Sequence, residues 1–140
     1  MENNQQTITV QASINELIEK VWTYWTSPEH IINWNFASDD WHSPNAKNDL
    51  QIGGKFSYTM ASKDGCMAFD FNGIYTNIIP YKLIEYTIEG GRKVKVLFEQ
   101  ADNTTIVTEI FEPEDINPLE LQKDGWQAII NNFKKYIESN

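Results

Sequence analysis

The chain has one cysteine, Cys66, in 140 residues. That excludes an internal disulfide and any zinc site built on several thiolates. A lone thiol fits a reducing compartment, and a cytoplasmic location is expected. Positive charge is also scarce, with 11 Lys and Arg against 20 Asp and Glu and a formal net charge of −9. Such a field repels a phosphate backbone, so nucleic acid is excluded as a natural partner. An anionic membrane surface is disfavoured for the same reason. No apolar run approaches the roughly 18 residues of a membrane span, so no membrane insertion is expected. The polar start, Met1 to Gln6, has neither the basic nor the apolar stretch of a leader peptide. No nucleophile elbow, phosphate loop or dinucleotide fingerprint occurs. Catalytic residues, cofactor and metal are therefore left unassigned.

Aromatic side chains are plentiful: five Trp, six Tyr and seven Phe. They can fill a core or line a pocket, and composition does not separate the two. A chain of this length buries about 70% of its unfolded surface, enough for one independent core, and a single domain over residues 1–140 is expected.

Thr7 to Ala12 alternates as a short strand. Ser13-Ile14-Asn15-Glu16 offers a capping box, followed by Ile14, Leu17, Ile18, Val21, Trp22 and Trp25 at helical spacing. Thr26-Ser27-Pro28 ends that helix and starts another, with Ser27 as N-cap, Pro28 in the first position and an apolar face of Ile31, Ile32 and Trp34. Asn35 to Leu50 has little periodicity and is expected to hold a loop and a short edge strand. Gly53-Gly54, a close-packing or bulge site, then opens a run of hairpins. One strand carries Phe56, Tyr58 and Met60 on one face. After the turn Lys63-Asp64-Gly65, the next carries Met67, Phe69, Phe71 and Tyr75, and Pro80 breaks it. Ile84, Tyr86 and Ile88 alternate up to Gly90-Gly91, then Val94, Val96 and Phe98 up to the turn Asp102-Asn103. That turn overlaps the glycosylation sequon Asn103-Thr104-Thr105, which is read as hairpin. The register of Thr104 to Glu112 stays open, with Ile106 and Ile110 on one face and Val107, Glu109 and Phe111 on the other. Asn117-Pro118-Leu119-Glu120 reads as the start of a final helix, with Asn117 as cap and a stripe of Trp126, Ile129, Ile130, Phe133 and Ile137. Some twenty residues of helix span about 30 Å, enough to cross a sheet.

Helices segregated from consecutive antiparallel hairpins make an α+β fold. Four stretches add a resemblance that covers the chain. They are Glu19-Lys20-Val21-Trp22 with Trp34; Asn48 through Phe56; Gly73-Ile74-Tyr75-Thr76 leading through Pro80 to Leu83-Ile84-Glu85-Tyr86; and Gly125-Trp126 with Phe133. In order and spacing they resemble the START-like, helix-grip (SRPBCC) superfamily, in the branch named after the activator of the heat-shock protein 90 ATPase. The resemblance implies a curved antiparallel sheet of about six to seven strands wrapped around the C-terminal helix, with two short helices after the first strand. It also implies that the space between sheet and helix is often open. It brings no catalytic motif with it. The branch takes its name from eukaryotic co-chaperones with a separate chaperone-binding domain, for which a chain of this length has no room, so a chaperone partner ranks behind a small hydrophobic molecule.

The expected cavity lining is Phe56, Tyr58, Met60, Phe69, Phe71, Tyr75, Tyr86, Phe98, Glu109, Trp126, Ile130 and Phe133. Trp126 and Phe133 are expected to face Phe56, Tyr58, Phe69 and Tyr86. Tyrosine hydroxyls in an apolar wall would orient a ligand. Glu109 is the open question. Facing inward, its carboxyl would be a candidate acid, base or anchor with a raised pKa; facing outward, it has no role. Asp70 is expected to point away, because Phe69 and Phe71 have the better claim on the groove. His42, beside Asp39 and Asp40, matches no ligand spacing and is read as a surface residue, and Cys66 as an inert thiol. The first reading is a non-enzymatic binder of a small apolar or aromatic molecule, lipid or polyketide-like. The others are a cyclase- or hydrolase-type enzyme and a chaperone-interacting protein.

Overall fold

The computed structural model of the protein describes residues 6–140. Most of the polar start discussed above lies outside the described residues. The chain runs β1 (Ile8–Ile14), α1 (Ile18–Thr26), α2 (Pro28–Ile31), β2 (Trp41–Asn48), β3 (Lys55–Ser62), β4 (Ala68–Ile79), β5 (Leu83–Ile88), β6 (Arg92–Ala101), β7 (Thr104–Phe111) and α3 (Leu119–Glu138). The strands form one antiparallel sheet in the order β1-β7-β6-β5-β4-β3-β2. Chain neighbours pair by hairpins from β2 to β7, and β1 closes onto β7. The helix-grip α+β fold is therefore present, with seven strands among the described residues.

Alternation decides the sheet's two faces. Val94, Val96 and Phe98 are buried on β6, while Lys93 and Lys95 are exposed between them. A bulge between Tyr75 and Asn77 on β4, and another between His42 and Asn45 on β2, break the ladder where the sheet curls. At Gly73 the curl brings strands and rings so close that a β-carbon would collide with the Phe56 ring. Gly54 is needed for close packing too, since a β-carbon there would collide with the Asp49 carbonyl.

Three local expectations are corrected. The capping box does not form. Ile14 continues β1, fully buried opposite Thr105, and α1 begins only at Ile18. The Ile18 amide donates to Gln100 Oε1 at 2.8 Å, so the cap comes from β6 rather than from Ser13. Leu17, assigned to the apolar stripe, sits at the N-cap and is 47% exposed. At α3 the extended residue is Pro118 (ψ 146°), and Asn117 turns its side chain to Glu114 Oε1 at 2.9 Å. The buried Gln122 holds this entry, donating to the Asn117 carbonyl at 2.8 Å and accepting from the Glu114 amide at 2.9 Å. Ser27 does precede Pro28 at the start of α2, without a side-chain cap. The edge strand expected within Asn35 to Leu50 is β2, eight residues long.

The core is densest at the C-terminal half of α3. Ile130, Phe133 and Ile137 are fully buried there. Phe133 meets Trp25 and Trp34 edge-on, each with ring centroids 4.9 Å apart. Trp34 Nε1 donates to the Tyr24 carbonyl, and Asn132 Nδ2 to the Trp34 carbonyl, both at 3.0 Å. His30 stacks on Tyr24 at 3.8 Å, and its Nδ1 lies 2.9 Å from the Tyr136 hydroxyl. The short helices are thus pinned to α3 at one end of the molecule.

Candidate functional site

At the other end α3 does not fill the sheet. Between its N-terminal half and strands β3 to β5 lies an open cavity of about 360 Å³. Phe56, Tyr58 and Met60 from β3, Phe69, Phe71 and Tyr75 from β4, and Ile84 and Tyr86 from β5 form its sheet wall. Trp126 forms the helix wall. One face of its indole stacks on Phe111 at 3.9 Å, and Phe71 meets it edge-on at 5.9 Å. Phe69, 52% exposed, and Leu121, 58% exposed, line the open side. Gly125 also lines the cavity, where a β-carbon would find nothing within 4 Å. The absence of a side chain there leaves the space open.

Polar groups in this lining are few. Glu109 enters from β7. Its strand neighbours settle the register left open by alternation, for Val107 and Phe111 are fully buried while Ile106 and Ile110 are only partly so. Glu109 is 6% exposed and has neither a hydrogen bond nor an ion pair among the described residues. Burial alone pushes its carboxyl up to about 8, because no charge offsets desolvation. Burial also raises Tyr86 well above the ordinary phenol value, with the nearby Glu109 adding to it. Tyr75 is pushed up to about 12 by burial, although its hydroxyl donates to Asn48 Oδ1. Tyr58 is raised by burial and then by Tyr75. Asn35 closes one side, and its Nδ2 is buried without a partner among the described residues. An orphan donor of this kind costs about 1–3 kcal/mol.

Nine of the twelve residues expected at the cavity meet there: Phe56, Tyr58, Met60, Phe69, Phe71, Tyr75, Tyr86, Glu109 and Trp126. Phe98, Ile130 and Phe133 do not; they are packed in the core. Phe98 is taken up by Trp22 and Trp25, at 5.1 and 6.0 Å. The expectation that Phe133 faces Phe56, Tyr58, Phe69 and Tyr86 is corrected, because the two short helices occupy its surroundings. Of that pair only Trp126 fronts the cavity. Met67 lies before β4 and is exposed. Asp70 points outward and accepts from Thr59 Oγ1 at 2.7 Å. His42 is exposed on β2 and Cys66 on a turn.

Sequence reasoning missed Trp25, Trp34, Phe36, Trp41, Gln122 and Gly125 in the lining. Trp25 and Trp34 sit where short helices end, so a helical stripe describes them incompletely. Phe36 and Trp41 flank a stretch with no period at all. Two aromatic side chains around an unpatterned segment were the available signal.

The family profile described as Activator of Hsp90 ATPase homolog 1-like protein matches residues 17–138. The chain belongs to this family. Its fold is close to the solution structure of an AHSA1-like protein from Aeromonas hydrophila, with 39% identity and a TM-score of 0.91 over 96% of this chain and 93% of that one. A solution structure from Cytophaga hutchinsonii is 53% identical, with a TM-score of 0.82 over 96% of this chain and 93% of the other. A crystal structure from Nitrosomonas europaea shares the fold alone, at 15% identity and a TM-score of 0.82 over 99% and 97% of the two chains. A search of curated proteins returned no match. No described helix is long and apolar enough to cross a membrane. Helix-grip domains of the family combine sheet and helix in a form suited to ligand binding.

Proposed function

We propose that the protein is a non-enzymatic binder of a small apolar, ring-bearing molecule, acting as a single domain in the cytoplasm. The observation that carries this reading is the cavity of about 360 Å³ that α3 leaves between Trp126 and the aromatic face of β3 to β5. Small-molecule sites are concave, mostly apolar and of roughly this size, about 300–1,000 Å³, with a few polar groups to fix orientation. Glu109 and the tyrosines supply those groups. A packed interior would have favoured a protein partner, and this interior is open. Ring compounds of polyketide type suit the lining better than a free fatty acid, whose carboxylate would find no lysine, arginine or histidine there.

An enzymatic reading draws on one feature, a carboxyl in the cavity held near neutrality. Acid–base work needs that poise and also a second group aligned with it. Slow conversion of a bound compound, abolished by Glu109→Gln, would establish the enzyme. A chaperone role, taken from the family's name, would be supported by capture of the 90-kilodalton chaperone.

Native mass spectrometry of freshly purified protein, with thermal melts against a library of ring compounds, tests the binder. A co-purifying small molecule, or a melting temperature that climbs with ligand concentration, is expected. No bound mass and no shift across the library would end this reading.

A further inference from the structure

The cavity's polar content is unbalanced. Among the described residues its lining includes Glu109 but no lysine, arginine, histidine or second carboxylate. The Tyr75 hydroxyl donates to Asn48 and Tyr58 bonds to Tyr75, but the Tyr86 hydroxyl also lines the cavity, so a neutral carbonyl ligand could be oriented without any acid. A buried carboxyl without a partner is costly to ionise, and the group that best recovers the cost is a cation. The surrounding rings act in the same direction. Phe56, Phe71, Tyr86 and Trp126 are π-systems, and a cation beside such a face is attracted by its quadrupole. The net charge of −9 favours the approach of a cation from solvent.

We infer that the ligand is a ring-bearing molecule with a cationic nitrogen, its cation against Glu109 and its rings among Phe56, Phe71, Tyr86 and Trp126. This rests on the cavity-binding reading above and narrows it to a chemical class. Anions are rejected, since burying one here leaves it without a counter-charge. Neutral ring compounds enter but leave the carboxyl unpaired.

The groups around Glu109 make the consequence for pH simple. On the flanking strands its paired residues are Val10 of β1 and Val96 of β6. From the rest of the sheet Tyr86 faces it, with Tyr75 and Tyr58 beyond; α3 brings Gln122, Trp126 and Ile129. None of these changes charge below the ordinary phenol range. Among the described residues Glu109 alone therefore titrates in the site near neutral pH. With its carboxyl at about 8, a cation must displace a proton to bind at lower pH. For a ligand with no proton of its own, affinity should rise about fifty-fold from about pH 6 to about pH 8 and then level off.

The test uses aryl-methyl trimethylammonium ions of one to three rings, paired with neopentyl arenes in which carbon replaces the nitrogen. The members of each pair share a shape and differ in charge. Binding is followed by NMR on the full chain. At about pH 8 the ammonium ion is expected to bind at least about tenfold more tightly than its carbon isostere. The preference should weaken as pH falls and be lost in Glu109→Gln, with the isostere's affinity unchanged. Should that variant fold poorly, the pH profile of the unmodified protein decides alone. Equal affinity for both members, or cation binding indifferent to pH, would overturn the cationic ligand and leave the cavity reading standing. If neither member of any pair moved the cavity resonances, both would fall.

Discussion

At its C-terminal half α3 lays Ile130, Phe133 and Ile137 into a fully buried core, where Phe133 packs against Trp25 of α1 and Trp34 just after α2. At its N-terminal half the same helix sets Gly125 and Trp126 over the same face of the sheet and leaves a cavity. The inward-facing period runs unbroken from Gln122 through Trp126 to Ile137, although it is apolar only from Trp126 on, so period alone cannot account for the difference. The partner does. Two short helices close one end, where Phe133 meets two indoles. On their other side the same two indoles border the cavity, together with a loop, strands β3 and β4, and a glycine that offers no side chain. A stripe on a helix therefore states that something lies opposite, and the third element decides whether it is packed protein or open space.

The largest expected effect lies in the closed half. Phe133→Ala should destabilise the protein by about 3–5 kcal/mol, as buried aromatic truncations do, in urea or thermal unfolding. A loss near zero would mean this end is not packed as described. Trp126→Ala should cost less, about 2 kcal/mol. One indole face leaves Phe111 and the other only borders the cavity. Its main consequence should be loss of ligand affinity. Equal destabilisation at the two positions would erase the contrast between the halves.

Glu109 sharpens the comparison through pH. Its carboxyl lies at about 8 in the folded protein against an ordinary value of 4.5. The folded state thus holds a proton that the unfolded state has released across this window. Its contribution to stability should fall as pH rises from about 4.5 through about 8, by up to about 1.4 kcal/mol per pH unit, and level off above. Glu109→Gln should remove that slope. Unfolding curves of both proteins over the window would measure it, and parallel curves would mean that Glu109 is solvated. The smallest effect is expected at Gly125. Gly125→Ala should stabilise α3 by up to about 1 kcal/mol through helix propensity, since the added carbon meets nothing. Gly125→Leu should weaken ligand binding by occupying the open side. A destabilised Gly125→Ala would show that the position is crowded.

The element order, the hairpins and the inward face of β3 to β6 were legible because alternation and turn residues agree there. The register of Thr104 to Phe111 was not, because both phases carry β-branched residues. It is fixed by β1 and by Trp126, which stacks on Phe111, and this turns Glu109 inward. The start of α1 misled for a related reason. Ile14, Leu17 and Ile18 fit helical spacing, yet pairing with Thr105 takes Ile14 into the sheet, and Gln100 supplies the cap from a distant strand. Phe98 and Phe133 shared the apolar phase of the cavity residues. Only the three-dimensional position of α1 and α2 separates packed from open, and that lies outside any local pattern.

The central claim is that only one end of α3 faces open space, and an NMR titration with an apolar ring compound tests it most directly. Resonances of Trp126, Phe71, Tyr86 and Glu109 should move together and saturate. Those of Phe133, Trp22 and Ile137, and of the outward Lys93 and Lys95, should stay in place. Shifts centred on Phe133 and Ile137, or no saturable shifts from any ring compound, would contradict the account.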